Sequence, residues 1–404
     1  TETGLQGCGM RKSVVHYTLE RCIRCMKCVK ACPTSALSMS DDRVIIDQKR
    51  CINCGRCIMA CHNRGILAQG STLDDIENYD YTICLVPGAL VSHCASLEEA
   101  EDLFHAIRLL GFDEVVDITQ YTALHLKEVS LLAEENEGDP YIASFCPVIA
   151  RLIQNSHKSL LDALLPVKNC SEIAAMDLRK KYAHIKNLGI FNLCECESKL
   201  ELAKYPYGNP QYEVDHALAL TDIFPLIRKN MHKGRDPVSF CKEGLQVCNP
   251  HRIVRQDGFL IADGFDKVCT VLDMAEFGLL NEFRLLILYP CFNGCIGGHM
   301  LWGNSFLATN NIDALTAKNT KPAADLPFEE LYTDEFAKDD DDKRSFMERT
   351  RFFKAVNEEF ERLPGYDCSA CGMQTCRIMA EEIVKGNRTE DDCRVMKTLK
   401  ETAQ

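Results

Sequence analysis

The sequence contains no apolar run near the roughly 20 residues that a membrane-spanning helix needs, so no transmembrane segment is expected. It also lacks a positive balance. Lys and Arg number 46 against 59 Asp and Glu, a formal charge of -13, which argues against a general phosphate-binding surface and against nucleic acid as a partner. The first residues, TETGLQGCGMRKS, have no apolar core of the kind a secretory signal carries, so the expected location is cytoplasmic, with no membrane partner. Disorder and low complexity are excluded by a hydrophobic content of 46%. At 404 residues the chain is long enough for two or three domains with real cores.

What the sequence does have is cysteine, 24 residues of it. That is high for a reducing compartment and below the density of small disulfide scaffolds. The cysteines fall in tight groups, and in a cytosolic chain such groups point to metal.

Residues 1–78 hold nine Cys in two similar segments, CIRCMKCVKACP from Cys22 and CINCGRCIMAC from Cys51, offset by 29 residues. RVIIDQ between them reads as a short strand. From 79 to 303 the pattern changes to apolar strand-like runs alternating with helical ones: YTICLVPG, then a Ser-capped helix in SLEEAEDLFHAIRLLGF, then DEVVDI. KNLGIFNLCEC and FRLLILYPCFNGC are further apolar runs that end in Cys. Such alternation predicts α/β architecture, with ligands held by loops after the strand ends. Residues 304–343 read as a loop-rich connector with an acidic run at 339–342. Residues 344–404 read as a helix, stopped by Pro364 and Gly365, followed by a small unit with four Cys.

The spacing C-x2-C-x2-C-x3-C-P gives three thiolates to one 4Fe-4S cubane and the fourth to its twin. Cluster one would take Cys22, Cys25, Cys28 and Cys61; cluster two would take Cys51, Cys54, Cys57 and Cys32. Pro33 completes the first motif, and His62 replaces the second Pro. The doubled spacing disfavours the alternative of structural Zn sites. The segment resembles bacterial two-cluster ferredoxins, which implies electron transfer. At the C-terminus Cys368, Cys371, Cys376 and Cys393 would suit either Zn or a 4Fe-4S cluster. The stretch YDCSACGMQTCRIMAEEIVKGN resembles the small Fe-S domain of several redox proteins.

Three central segments also place Cys at strand ends: ASFCPVI, FNLCECESK and YPCFNGCIGGHM. Gly294, Gly297 and Gly298 would let the backbone approach a bulky ligand. In order and content these segments resemble the three signature loops of the FeFe-hydrogenase catalytic domain, from about Tyr79 to Gly303. The resemblance implies a two-lobed α/β domain carrying an H-cluster, in which a cubane is joined through a Cys to a diiron unit with CO, cyanide and a bridging azadithiolate. The implied cubane ligands are Cys146, Cys196, Cys291 and Cys295, with Cys295 bridging to the diiron unit. Cys196 is preferred over Cys194 because Cys196-Glu-Ser-Lys199 matches the family's Cys-x-x-Lys. Lys199 would donate a charge-assisted bond to one cyanide. Pro87 and Gly88, in VPGAL, resemble the loop whose backbone serves the other cyanide.

The sequence departs from the family pattern in informative places. Active members have Cys-Cys-Pro in the first loop and use the first Cys for proton exchange; here Phe145-Cys146-Pro147 stands instead, and Phe cannot transfer a proton. Val129 and Leu132 fall where the usual proton path has Glu, though Glu128, Glu134 and Glu135 lie close. The two Met positions beside the diiron unit are Cys194 and Tyr289, and the usual Gly-Gly-Gly-Gln becomes Gly297-Gly298-His299-Met300. Either proton delivery is slow, or Cys194 or His299 offers another route.

The domain order and altered first loop resemble the sensory FeFe hydrogenases. The implied fold is a multidomain α/β chain: a two-cluster ferredoxin module, the H-cluster domain and a helical Fe-S tail. The implied activity is reversible heterolytic H2 cleavage with low turnover, or H2 sensing, with four 4Fe-4S clusters relaying electrons. Expected partners are H2 and protons, a redox or signalling protein and hydrogenase maturation proteins, with a homodimer possible. The alternative is a non-catalytic electron-transfer or signalling subunit that keeps the cubanes and lacks the diiron unit. Eight Cys remain: Cys8, Cys84, Cys94, Cys170, Cys194, Cys241, Cys248 and Cys269. These are expected mostly as buried small apolar side chains.

Overall fold

A computed structural model of the chain describes residues 13–136, 138–204, 212–254, 256–318, 320–333, 336 and 345–402. Cys8 and the acidic run 339–342 lie outside them. The chain divides into two units, one formed by Thr1–Ala68 with Asp339–Gln404 and the other by Gln69–Lys338. No helix of the described residues is long and apolar enough to cross a membrane.

In the first unit, β1 (Val15–Tyr17) pairs antiparallel with β4 (Ile66–Ala68), and β2 (Leu37–Ser40) pairs antiparallel with β3 (Arg43–Ile46). The strand expected in RVIIDQ is β3. The 29-residue repeat recurs in the backbone. Helices Lys27–Ala31 and Arg56–Ala60 start after left-handed caps at Met26 and Gly55. The left-handed residues Arg24 and Ser35 recur as Asn53 and Arg64. The amide of Ala36 donates to Cys32 Sγ at 3.1 Å, and that of Gly65 to Cys61 Sγ at 3.2 Å. Each repeat thus aims an amide at its fourth thiol, the kind of hydrogen bond that tunes an Fe-S cluster.

The same unit contains the C-terminal helices Phe346–Arg362, Cys376–Val384 and Arg394–Thr402. The first opens on a capping box between Ser345 and Glu348, which satisfies two end amides, and ends at Arg362, before the expected stop at Pro364 and Gly365. Val356, Met379 and Ala380 form a small core with Cys376 and Cys393.

The second unit holds two parallel sheets. The larger runs in the order β6 (Glu114–Asp117), β5 (Tyr81–Val86), β8 (Leu188–Cys194), β9 (His216–Ala219). The smaller runs β10 (Phe259–Asp263), β11 (Leu285–Tyr289), β7 (Tyr141–Ile142). Every residue of β8 and β11 is buried, as expected of parallel strands covered on both faces. The expected strands in YTICLVPG and DEVVDI are β5 and β6, and the expected helix is Leu97–Arg108, with the Ser96 side chain accepting from the Glu99 amide.

The connector expected over 304–343 is revised. Helix Ser305–Thr316 occupies its start, capped by Asn304, and buries Ala308, Ile312 and Leu315. Their spacing places them on one helical face, so this stretch belongs to the core of the second unit. The first-unit boundary falls after Ala68, short of the expected 78.

Candidate functional site

Each sequence-predicted central residue lies at or just past the carboxyl end of a parallel strand. Pro87 and Gly88 follow β5, Phe145 and Cys146 follow β7, Cys196 and Lys199 follow β8, and Cys291 and Cys295 follow β11. This is where open α/β sheets bind ligands, because strand ends leave the connecting loops free to face one crevice. Cys146 caps helix Pro147–Ser156, with Pro147 at its first position, where its missing N-H costs nothing. That helix and the one after Cys196, Glu197–Lys204, are joined by a buried ion pair of Arg151 and Glu201 at 3.2 Å. The loops bearing Cys146 and Cys196 are therefore fixed to each other.

Pro87, Gly88, Phe145, Lys199 and Cys295 line one cavity. The four predicted cubane ligands lie near it and near one another. Burial pushes the Cys295 thiol up, Lys199 opposes the shift, and Cys146 is close enough to add to it. Burial likewise raises Cys196, with Glu195, Lys199 and Cys291 acting on it in turn. Cys146 is raised mainly by burial, opposed by main-chain amides of its helix. Without metal these thiols hold their protons, so loading iron must release protons.

Burial alone would discharge Lys199, but the Glu195 carboxylate outweighs it and holds the ammonium charged. Lys199 Nζ donates to Glu195 Oε1 at 2.5 Å. The second Glu195 oxygen is buried and has no partner.

Cys194 and His299 are not among the residues lining this cavity. Cys194 Sγ accepts from Asn192 Nδ2 at 3.5 Å inside the strand. His299 Nδ1 lies 3.5 Å from Glu197 Oε2. The fully buried Tyr289 donates its hydroxyl to the Val247 carbonyl at 2.6 Å and packs its ring 5.0 Å from that of Phe145. The glycines of the third loop make room for protein. A Cβ at Gly297 would lie 2.0 Å from the Phe292 carbonyl oxygen, and one at Gly298 would lie 2.6 Å from that of Glu195.

Sequence reasoning missed part of the wall. Cys170 and Cys248, expected as packing, line the cavity, as do Glu195 and His125. His125 is buried, and its Nδ1 donates to the Lys168 carbonyl at 2.9 Å. Burial lowers its pKa to about 4, so the ring is neutral near pH 7 and its unpartnered Nε2 is an acceptor. Its ring meets Phe145 edge-on at 6.1 Å. Glu195 carried a readable signal, a carboxylate set between two Cys at an apolar strand end. His125 carried none, since it sits mid-helix in Thr119–Glu134.

In the first unit, Cys28 is raised to about 11 by burial, with Cys61, Cys22 and Cys25 adding to the shift, the set predicted for cluster one. The same four thiols line one pocket. Cys51 is buried and shares a hydrogen bond of 3.2 Å with Ser13 Oγ. In the C-terminal segment Cys371 is raised by burial and then by Cys393 and Cys368, while Cys376 and Cys393 are buried in the small core.

Residues 21–66 match the family model of 4Fe-4S dicluster domains, 88–240 that of the iron-only hydrogenase large subunit, C-terminal domain, and 363–395 that of an Fe-S cluster domain. Comparison with curated proteins finds no match. Among solved structures, an FeFe-hydrogenase studied for oxygen inactivation of its H-cluster aligns at TM-score 0.50 and 13% identity, over 66% of this chain and 98% of that one. An FeFe-hydrogenase from Chlamydomonas reinhardtii, a Glu-to-Ala variant, aligns at TM-score 0.48 and 12% identity, over 66% of this chain and 98% of that one. The central residues of the chain are thus similar to FeFe-hydrogenases in fold, and segments that match Fe-S cluster families precede and follow them in the sequence.

Proposed function

We propose that the central site holds an H-cluster and activates H2 reversibly at a low rate, so that the protein serves as a sensor. The observation that carries this reading is the convergence of Lys199, Cys295, Phe145 and the Pro87-Gly88 turn on one cavity beside three more thiols. Thiolates are the ligands that select Fe-S clusters. Two buried, unpartnered acceptor atoms on residues of the cavity wall, Glu195 Oε2 and His125 Nε2, call for a hydrogen-bond donor on the guest. When bound, the diiron unit supplies the metal centre for H2 cleavage and the link to the cubane.

The chain's own residues then divide the work. Cys146, Cys196, Cys291 and Cys295 would hold the iron. Lys199 offers a permanent positive charge to the cyanide ligands, and Glu195 aims it. Phe145 excludes water where active members have a thiol, and offers no proton. His125 Nε2 is a proton-accepting atom on the same wall, but burial makes it a weak base, which fits slow turnover. Electrons leave through the cubanes of the first unit to a redox or signalling protein in the reducing cytoplasm. Maturation proteins would install the diiron unit.

The test is infrared spectroscopy of the anaerobic protein supplied with synthetic diiron cofactor. CO and cyanide bands that shift under H2 are expected. An iron-loaded protein with no such bands would instead be the electron-transfer or signalling subunit, a reading that Phe145 favours.

A further inference from the structure

The C-terminal four-Cys segment lies in the same unit as the ferredoxin repeat, and its ligand loop is bonded to the repeat's own ligand loop. Gln374 stands between Cys371 and Cys376. Its Nε2 donates to the Cys32 carbonyl at 2.7 Å and to the Lys30 carbonyl at 3.3 Å. Its Oε1 accepts from the Ser35 hydroxyl. Both polar atoms of its side chain are therefore spent on the turn around Cys32, the residue assigned to the second cluster of the repeat.

The backbones also meet. The Met39 amide donates to the Gly372 carbonyl at 2.8 Å. Gly372 has φ +90, and a Cβ there would lie 2.2 Å from the Met39 carbonyl oxygen, so only glycine permits this approach. Arg388 Nη2 closes the contact on that same oxygen at 3.0 Å. Ordinary domain packing needs no such match of loop to loop. Here Gly372 lies one residue from Cys371 and Gln374 two from Cys376, and the main bond of Gln374 is to Cys32 itself.

We infer that the terminal cluster exchanges electrons directly with the second ferredoxin cluster, and that Gln374 is the positioning residue that couples them. The bonded route runs from Cys32 through its carbonyl to the Gln374 side chain, then along two residues of main chain to Cys376. The step moves one electron: one cubane is oxidised as the other is reduced, and no proton or bond changes hands. Cys32 and Cys376 are buried at this contact, whereas Cys368 on the terminal site is exposed. The terminal site thereby offers one exposed edge to an external one-electron carrier, and Cys25 offers another at the first cluster. The inference rests on the Fe-S reading of both sites and needs no diiron unit.

The full chain, reconstituted anaerobically with iron and sulfide, tests this. Metal analysis comes first: zinc or no metal at the terminal site would refute the Fe-S reading and the relay with it. Iron at both sites, with no electron exchange between them after flash photoreduction followed by freeze-quench EPR, would overturn the direct link alone. In Gln374→Leu the exchange should slow about tenfold, the low end of what outer-shell changes cost at metal sites. Pulsed EPR should find the distance between the clusters unchanged. Gln374→Glu keeps the side chain's shape but cannot donate to Cys32, and should slow exchange equally even if the Leu variant fails to fold. A rate unchanged in Gln374→Glu would remove Gln374 from the route.

Discussion

The ferredoxin-like repeat and the central cavity both gather Cys thiols, in opposite ways. In the repeat, each run of four Cys spans about one turn and a short helix, and the second run repeats the first down to its left-handed residues. In the central unit the gathered Cys come from three loops, with Cys146 and Cys295 separated by most of the domain. A local site survives if its loop survives, because few long-range contacts set its geometry. A site assembled from strand ends depends on the buried pairs that fix those ends against each other. The central site should therefore be the more easily lost.

Lys199→Met gives the largest expected effect. It strands the Glu195 carboxylate, whose side chain is only 2% exposed, and breaking a buried pair in this way costs roughly 3–5 kcal/mol. Trp302, the one Trp of the chain, lies in this unit, so its fluorescence during urea unfolding measures the loss. The iron content of the first unit should not change. If that iron is lost as well, the two regions are not independent and the comparison fails.

The next effect sharpens the contrast through pH. His125 is held near pKa 4 by burial, against an ordinary value of 6.5. As pH falls through this window, the unfolded chain binds a proton that the folded chain refuses, so stability falls with pH, by about 3 kcal/mol in all at 1.36 kcal/mol per unit. His125→Gln should flatten the pH dependence of Trp302 fluorescence unfolding between those limits. A variant as acid-sensitive as the parent would show that the ring is not held neutral.

The smallest effect concerns chemistry. Phe145→Cys places a thiol beside Cys146 on the cavity wall, and a positioned proton donor contributes upward of about 100-fold. H2 turnover of the protein loaded with diiron cofactor should rise by about that factor. An unchanged rate would mean that protons already arrive by another route and that Phe145 is not the limit.

Much of this molecule was legible before any coordinates. Thiol spacing is a local property, and the duplicated motif grouped Cys22, Cys25 and Cys28 with Cys61, four thiols that line one pocket. Strand-end Cys in apolar runs, with Lys199 three residues after Cys196, located the central loops. The assignments that went astray were those that depend on direction. Glycines of the third loop read as space for a ligand, yet their missing Cβ atoms would point at carbonyl oxygens of Phe292 and Glu195. Cys170 and Cys248 read as packing, yet they face the cavity. Residues 304–316 read as connector because the apolar residues of their helix fall on both faces, with Phe306 and Leu307 exposed, which hides the helical period.

By itself, the sequence determined which residues can bind iron and in which short groups, because ligand type and spacing are written along the chain. Tertiary structure alone decided that Glu195 would aim Lys199, that His125 would present a bare nitrogen, and that Gln374 would meet Cys32. Each depends on which way a side chain points after distant segments pack, and that direction is set by burial and hydrogen bonding between elements that share no local pattern.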